Sequence, residues 1–533
     1  MPYSSESGKK QIDRVVKCAL PMRILDVGAG CGTYVKRYRK PEQHWTGVEI
    51  WEPYVDKFGL RDLYDTLLTQ DAREPIPGEY DLAFAGDVLE HMEPYEARKL
   101  LDDLRKSSRT VVVSIPIGHY PQEEYAGNPY ERHVKDDWTD AQVKELLGEP
   151  VWSCVDNEIG VYIYSSDQDF ANKMKLKIAV YAISKNESMF IERFCESAKD
   201  ADFVLIADTG STDNTVELAR KHGAVVHDIC ISPWRFDKAR DASLALVPRD
   251  IDICISLDLD EILEPGWRQE VERVWSDNTT RMRYKFDWGS GIQFFSEKIH
   301  HRHGYHWHHP CHEYPRPDAR TKEVWAHSDM LLVTHHPDPN KSRGQYLDLL
   351  KIAITEDKEC PRNAFYYARE LTFYARWEEA IEALNRYLAM PGATWINDRC
   401  YAMRLLGKCY DETKRYAEAI KWYRLAVAEA PSTREPWVDL AMAAYRRSMW
   451  RECHSAAMAA LDIKEKALVY TMDPEAWGAK PHDLAAIGAH HIGLQEVAVE
   501  QGKLATEANP NDARLMSNLD YYVKQLGLTH HDT

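Results

Sequence analysis

The run Ile253-Cys-Ile-Ser-Leu-Asp258-Leu-Asp260-Glu261 is apolar until it ends abruptly in three carboxylates. Upstream, Val204-Leu-Ile-Ala-Asp208-Thr-Gly-Ser-Thr-Asp213 ends the same way. Short apolar runs of this kind read as buried strands, and a buried strand accepts clustered carboxylates at its end where a cation meets them. Hard oxygen ligands suit Mg²⁺ or Mn²⁺, and such an ion is suited to holding a diphosphate. The pattern therefore constrains this part of the chain to an α/β sheet whose strand ends form a site.

With 533 residues, the chain has room for about three or four domains. Its 67 basic and 85 acidic residues leave a net charge of −18, which argues against direct nucleic-acid binding, since that draws its affinity from clustered Lys and Arg. The eleven cysteines include no CxxC pair and are odd in number, so neither a disulfide framework nor a zinc ribbon is expected. The first residues lack an apolar core, and no run approaches the ~20 apolar residues of a membrane span. A soluble, cytoplasmic protein with no membrane partner is the expectation.

Three segments follow. Strand and helix patterns alternate to about Ser165, and the polar stretch Ser165–Lys175 reads as a linker. A second α/β pattern starts at Leu176 and runs to about His336. Beyond Ser342 the β-branched runs vanish, and Ala, Leu, Tyr, Trp and Arg recur at helical spacing. The last segment also repeats: related stretches begin at Trp377, Tyr416 and Trp450, 39 and then 34 residues apart, and a further copy ends at Pro510. These offsets bracket the period of paired-helix repeats. The aromatic, Ala, terminal-Pro pattern resembles the tetratricopeptide family. The resemblance implies a buttress, a homodimer contact, or a concave surface for a peptide acceptor.

In the first segment, Arg23-Ile-Leu-Asp26-Val-Gly28-Ala-Gly30-Cys-Gly32 is a strand followed by a glycine-rich turn into a helix, where backbone can approach a ligand closely. Later strands end at Glu49, at Gln70-Asp71-Ala72, and at Asp87-Val-Leu-Glu90-His91. The series resembles class I S-adenosylmethionine-dependent methyltransferases. It implies Asp26, Gly28 and Gly30 around the methionine part, Glu49 on ribose, Asp71 near adenine, and Asp87 in the cofactor pocket. A Rossmann dehydrogenase fits less well, because Thr33 stands where its third glycine would fall. The segment from Asp87 to His91 also resembles quinone O-methyltransferases, in which such residues can hold a metal; a helix start with no ion is the other reading. His133 is a candidate general base for a hydroxyl, with a solvent-facing loop histidine as its alternative.

From Lys177 to about His336 the chain resembles family-two glycosyltransferases of the GT-A fold. The motifs that carry this are Ser184-Lys-Asn-Glu187, Asp208-Thr-Gly-Ser-Thr-Asp213, Phe236-Asp-Lys-Ala-Arg240-Asp241 and Asp258-Leu-Asp260-Glu261. Asp241 replaces the family's usual Asn. The resemblance implies that Ser184, Glu187, Asp208 and Arg240 bind the nucleotide, with Asp208 accepting from a uracil imide and Ser211 and Thr212 opening the next helix. It further implies Asp258 on ribose or metal and Asp260 as metal ligand. Ten of the 22 histidines fall between His300 and His336. Among them His312 is a candidate further metal ligand, and Glu313 a candidate base for the acceptor, with Glu261 and Asp287 as alternatives.

The expected fold class is α/β plus all-α. A Rossmann-like methyltransferase domain is expected over 1–168, a GT-A glycosyltransferase domain over 175–340, and tetratricopeptide-like repeats over 341–533. The expected activity is bifunctional: inverting transfer of a UDP-sugar to a protein or glycan acceptor with Mn²⁺ or Mg²⁺, and S-adenosylmethionine-dependent O-methylation. Alternatives are an interaction scaffold with inactive transferase domains and a lipopolysaccharide-core-type glycosyltransferase.

Overall fold

A computed structural model describes residues 6–156, 158–276, 278–338 and 344–526. The chain divides into two compact units, one ending at Leu176 and the other beginning at Lys177. The expected boundary at 340/341 lies outside the described residues.

The first unit is built on a seven-stranded sheet: β1 Arg23–Val27, β2 His44–Val48, β3 Thr66–Leu68, β4 Tyr80–Gly86, β5 Ser108–Pro116, β6 Trp152–Asp156 and β7 Ile159–Ser165. Their order is β3-β2-β1-β4-β5-β7-β6. The five strands from β3 to β5 are parallel, while β7 runs antiparallel to β5. Apolar residues fill both faces, as a covered parallel sheet requires. Leu25 and Val27 pack into one core with Val111 and Val113. Ile24, one position before Leu25, packs into the opposite core with Val112. The order reverses between β1 and β4, which makes the crevice at their carboxyl ends the place where such sheets bind ligands. The polar stretch read as a linker holds a short helix, Phe170–Met174. Its Phe170 and Met174 are buried in the second of these cores.

The second unit carries β8 Ile178–Ser184, β9 Phe203–Asp208, β10 Val225–Asp228, β11 Ile253–Ser256, β12 Glu261–Leu263, β13 Arg281–Gly289, β14 Ile292–His301, β15 Tyr305–His308, β16 Tyr314–Pro317 and β17 Trp325–His335. Eight of these form one sheet in the order β10-β9-β8-β11-β14-β13-β17-β12, and β15 pairs with β16. The half from β10 to β11 is parallel, and β14 joins it antiparallel to β11. Here too the strand order reverses, between β8 and β11.

From Tyr346 onward the described residues are mainly helical, with a non-helical stretch at 463–473, and consecutive helices pack on one another. The repeat starts at 377, 416 and 450 each open a helix, and the copy ending at Pro510 falls on Gln495–Ala508. Small residues set the spacing. At Gly488 a Cβ would lie 2.7 Å from the backbone nitrogen of His454, so any larger residue would push the two helices apart. No helix among the described residues is long and apolar enough to cross a membrane.

Candidate functional site

Each unit has a site at its sheet reversal. In the first, the chain leaves β1 and turns on Gly28, whose φ is 69°. A Cβ there would meet Cγ2 of Val88 at 2.6 Å, so only glycine fits. Glu49 closes the turn: its Oε2 accepts from the Gly30 N–H and its Oε1 from the Trp51 N–H, both at 2.8 Å. Gly28, Gly30, Glu49, Asp71, Asp87 and His91 line one cavity. Asp87 accepts from Ser114 Oγ at 3.3 Å. Asp71 is chelated by Arg73, whose Nε and Nη2 reach it at 3.0 and 2.6 Å; this pairing holds the carboxyl below its usual range. Asp26 is not a lining residue. It is buried behind the turn, where Tyr64 Oη donates to its Oδ2 at 2.5 Å. Burial pushes its carboxyl up to about 7.

At the edge of this cavity, Glu90 is 1% exposed and neither carboxylate oxygen has a hydrogen-bond partner. One ligand atom each of Glu90, His91 and His133 lies within 4.8 Å of the other two. Nδ1 of His91 is 3.1 Å from the Arg132 carbonyl, and Nδ1 of His133 is 2.7 Å from the Tyr120 carbonyl. A carbonyl only accepts, so both rings carry their proton on Nδ1 and keep the Nε2 lone pair. Burial lowers both histidines below the ordinary imidazole value, which leaves them neutral near pH 7. Asp87, grouped with Glu90 and His91 on sequence spacing, is not in this set; His133, from a distant loop, is.

In the second unit, Ser184 at the end of β8 donates through Oγ to Oδ1 of Asp208 at 2.8 Å. Asp208 also accepts from Ser211 Oγ at 2.5 Å and from the backbone N–H groups of Gly210 and Ser211. Burial alone would raise its carboxyl, but these donors hold it below the usual range. The carboxylate is thus committed to shaping its own loop, where sequence reasoning turned it toward a nucleobase. The following helix is Thr215–Lys221, so Ser211 and Thr212 lie in the turn rather than open the helix. Glu187 is anchored through its N–H to Thr215 Oγ1 at 2.8 Å.

Beyond β11, Arg240 on the helix Phe236–Leu246 reaches two acids. Its Nε donates to Oε1 of Glu313 and its Nη2 to Oδ1 of Asp258, both at 2.5 Å. Burial on its own would lower this guanidinium, but the two carboxylates keep it charged. Lys298 on β14 donates to Oδ2 of Asp258 at 3.2 Å and to Oε1 of Glu261 at 3.0 Å. Among these groups Asp258 has the most open side chain, 37% exposed against 3% for Arg240, 4% for Glu261 and 9% for Glu313. Asp260 turns the other way and meets Nε2 of His335 at 3.4 Å. His335 in turn lies under Trp288, with ring centroids 4.2 Å apart.

Sequence reasoning did not find Lys298 or His335. His312, expected near the metal, stacks its ring on Tyr366 with centroids 4.0 Å apart, and Arg362 Nη2 donates to its carbonyl at 3.2 Å. The histidine that meets Asp260 is His335. Asp287, an alternative base, is tied to Gln293 Nε2 at 2.9 Å and to the Gly289 N–H at 2.8 Å.

Comparison with known proteins finds likeness over parts of this chain. An uncharacterized glycosyltransferase of Rickettsia bellii (strain RML369-C) is 33% identical over 101 residues, 19% of this chain and 33% of that protein. One of Rickettsia conorii (strain ATCC VR-613 / Malish 7) is 34% identical over 103 residues, 19% of this chain and 35% of that protein. The chain thus spans about a third of the length of the curated relatives it matches. No family model matches the chain. Among solved structures, YrrB, a TPR protein with an unusual peptide-binding site, aligns with 34% of this chain and 85% of its own at 15% identity and a TM-score of 0.28. The N-terminal domain of EvdMO1, solved in the presence of SAH and D-fucose, aligns with 30% of this chain and 82% of its own at 16% identity and a TM-score of 0.24.

Proposed function

We propose that the chain is a bifunctional transferase. Its second unit moves a sugar from a UDP-sugar to a protein or glycan acceptor with the help of Mn²⁺ or Mg²⁺. Its first unit methylates a hydroxyl from S-adenosylmethionine, with the glycan as the acceptor that best joins the two activities. The observation that carries this reading is the arrangement past β11, where Asp258 is held between Arg240 and Lys298 while Asp260 faces His335. The glycosyltransferase relatives support it over part of the chain.

Asp260 and His335 Nε2 offer one oxygen and one nitrogen donor, a set that fits Mn²⁺. A divalent ion there would supply positive charge against the diphosphate as it leaves. The chain's own residues do the rest. The Asp208 loop presents backbone and hydroxyl groups to the nucleotide, with Ser184 and Glu187 fixing its shape. Arg240 and Lys298 fix the orientation of Asp258 and add cationic field at the same edge. Glu313 keeps Oε1 on Arg240, and its Oε2, which bonds no described residue, takes the proton of the acceptor hydroxyl.

In the first unit, the cradle of Gly28, Gly30 and Glu49 suits an adenosyl ligand, which would supply an electrophilic methyl group. Asp26 shapes this cradle from behind through Tyr64. Asp71 and Asp87 offer acceptors to the adenine and amino-acid ends of the ligand. Nε2 of His133 takes the proton from the hydroxyl that is methylated. Glu90, His91 and His133 as a divalent-ion site is the alternative to this role, because an ion there would take the same Nε2 lone pair of His133. Calorimetric titration of the full chain with UDP and Mn²⁺, and separately with S-adenosylhomocysteine, tests both halves. Binding of neither ligand overturns the reading.

A further inference from the structure

The helices after the sheet do more than stack on one another. Starting from the transfer site, a continuous series of contacts runs out to them and returns. Glu313 is followed backward by His312, whose ring stacks on Tyr366 of the helix Pro361–Phe373. The guanidinium of Arg369 lies over Tyr366 at 4.6 Å and over Tyr470 at 6.0 Å. Tyr470 meets Phe294 of β14 edge-on at 6.2 Å, and Phe294 meets Phe286 at 5.1 Å. Phe286 lies 6.1 Å from the ring of His335, which faces Asp260. Lys466 Nζ ties the same region to the hairpin tip through the Gly291 carbonyl at 2.9 Å. The circuit uses β13, β14 and β17, which lie across β11 from the strands that carry the Asp208 loop. It therefore bounds the acceptor side of the site rather than the nucleotide side.

Two arginines on this wall make no direct ion pair with a described acid, although the charge of Asp398 is felt by both. Among the described residues, neither Arg362 nor Arg369 has a carboxylate within ion-pair distance, and Nε of Arg369 is buried with no hydrogen-bond partner. Asp398 spends its direct hydrogen bond on the Tyr470 hydroxyl and reaches the two guanidinium groups only through its field. Arg362 is stacked over Tyr314 at 5.3 Å and over Tyr366 at 4.9 Å, so its fork is held by rings and not by a counter-charge. Trp395 is 47% exposed and lies 5.8 Å from Tyr470, an open aromatic face beside the arginine pair.

We propose that Arg362 and Arg369 receive an acidic sugar unit of a glycan acceptor, its carboxylate or phosphate on the guanidinium groups and its ring against the exposed aromatic face. Both guanidinium groups lie over the ring of Tyr366, at 4.9 and 4.6 Å, so their charge is gathered at one place and suits one compact acidic unit. Planar forks on an oxyanion give direction as well as attraction. This inference rests on the sugar-transfer reading of the second unit.

The test is calorimetric titration of the full chain, saturated with UDP and Mn²⁺, with methyl glucuronide, methyl glucoside and a triglutamate peptide. The expected result is about tenfold tighter binding of the glucuronide than the glucoside, with the peptide no tighter than the glucoside. Arg369→Gln should remove the preference and leave UDP affinity unchanged. Arg362→Gln, at an exposed position, should do the same, and covers the case in which Arg369→Gln does not fold. Equal binding of the two sugars, or a preference that survives both substitutions, overturns the proposal. A peptide preferred over the glucuronide through the same arginines also overturns it. Failure of UDP to bind speaks against the donor reading alone, because the acid-against-neutral comparison can be run without UDP.

Discussion

Arg240 and Glu313 are joined at 2.5 Å through Nε and Oε1, in a pair whose side chains are 3% and 9% exposed. The contact holds one carboxylate oxygen on Arg240 and leaves the other for the proton transfer proposed above. Replacing the acid with its amide should separate these two jobs.

Glu313→Gln is expected to lower sugar transfer by about 10²–10⁴-fold, the usual contribution of a general base, while UDP affinity changes little. Thermal melting must be followed beside activity, because the change leaves Arg240 with one anionic partner in place of two. Full transfer by this variant would assign proton removal to another group.

Lys298 bridges Asp258 and Glu261, and the attraction of these acids keeps the ammonium charged despite a burial effect that would lower it. Lys298→Met should destabilise the second unit by about 3 kcal/mol, since breaking a buried pair leaves carboxylates uncompensated. Chemical denaturation checks the size. Asp260 faces His335 instead, so Mn²⁺ affinity should survive in the fraction that folds.

In the first unit, Asp26 titrates near 7 instead of the 3.8 of an unhindered carboxyl. The folded-state value is raised, so the favourable contribution is fully present below pH ~4 and is lost as pH rises through about 7. Relative to Asp26→Asn, the unliganded protein should therefore lose stability between pH 4 and pH 7, on the order of 4 kcal/mol for a shift of this size. Denaturant midpoints of both proteins across that range read the difference. Parallel curves would place the carboxylate in a more polar setting.

His133 is held with its proton on Nδ1, and burial lowers its ring below 6.5. Methyl transfer should accordingly rise with pH and level off below pH 6.5 when measured at saturating S-adenosylmethionine. His133→Ala should lower the plateau by about 10²-fold or more with cofactor affinity retained. A rate that keeps rising above pH 8 would exclude this imidazole as the group that takes the proton.

Much of the fold was legible because its signals are local. The apolar runs that end at Ser184, Asp208 and Ser256 are strands whose ends meet at one edge, and the repeat starts at 377, 416 and 450 are helix starts. The glycine turn after β1 was readable for the same reason. Partners supplied from far along the chain were not. Lys298 lies in the middle of β14, 40 residues from Asp258, and nothing in its neighbours marks it as a counter-ion. His335 was one of ten histidines in a short stretch, and only the pairing of β12 with β17 brings it to Asp260. Nor did the sequence show that the ring of His312 stacks on Tyr366, on a helix that begins 49 positions later at Pro361. The linker reading of residues 165–175 failed for a related reason: two apolar residues in a polar stretch sufficed to dock Phe170–Met174 on the core.

The central claim is that the edge past β11 binds a nucleotide-sugar through its acids and a divalent ion. A screen of UDP-, GDP- and dTDP-sugars with Mn²⁺, scored by binding and by hydrolysis, tests it most directly on the unaltered protein and on Asp260→Asn. The account predicts Mn²⁺-dependent binding of a UDP-sugar that falls at least tenfold in Asp260→Asn. Failure of every donor, or binding indifferent to both Mn²⁺ and Asp260, would contradict it.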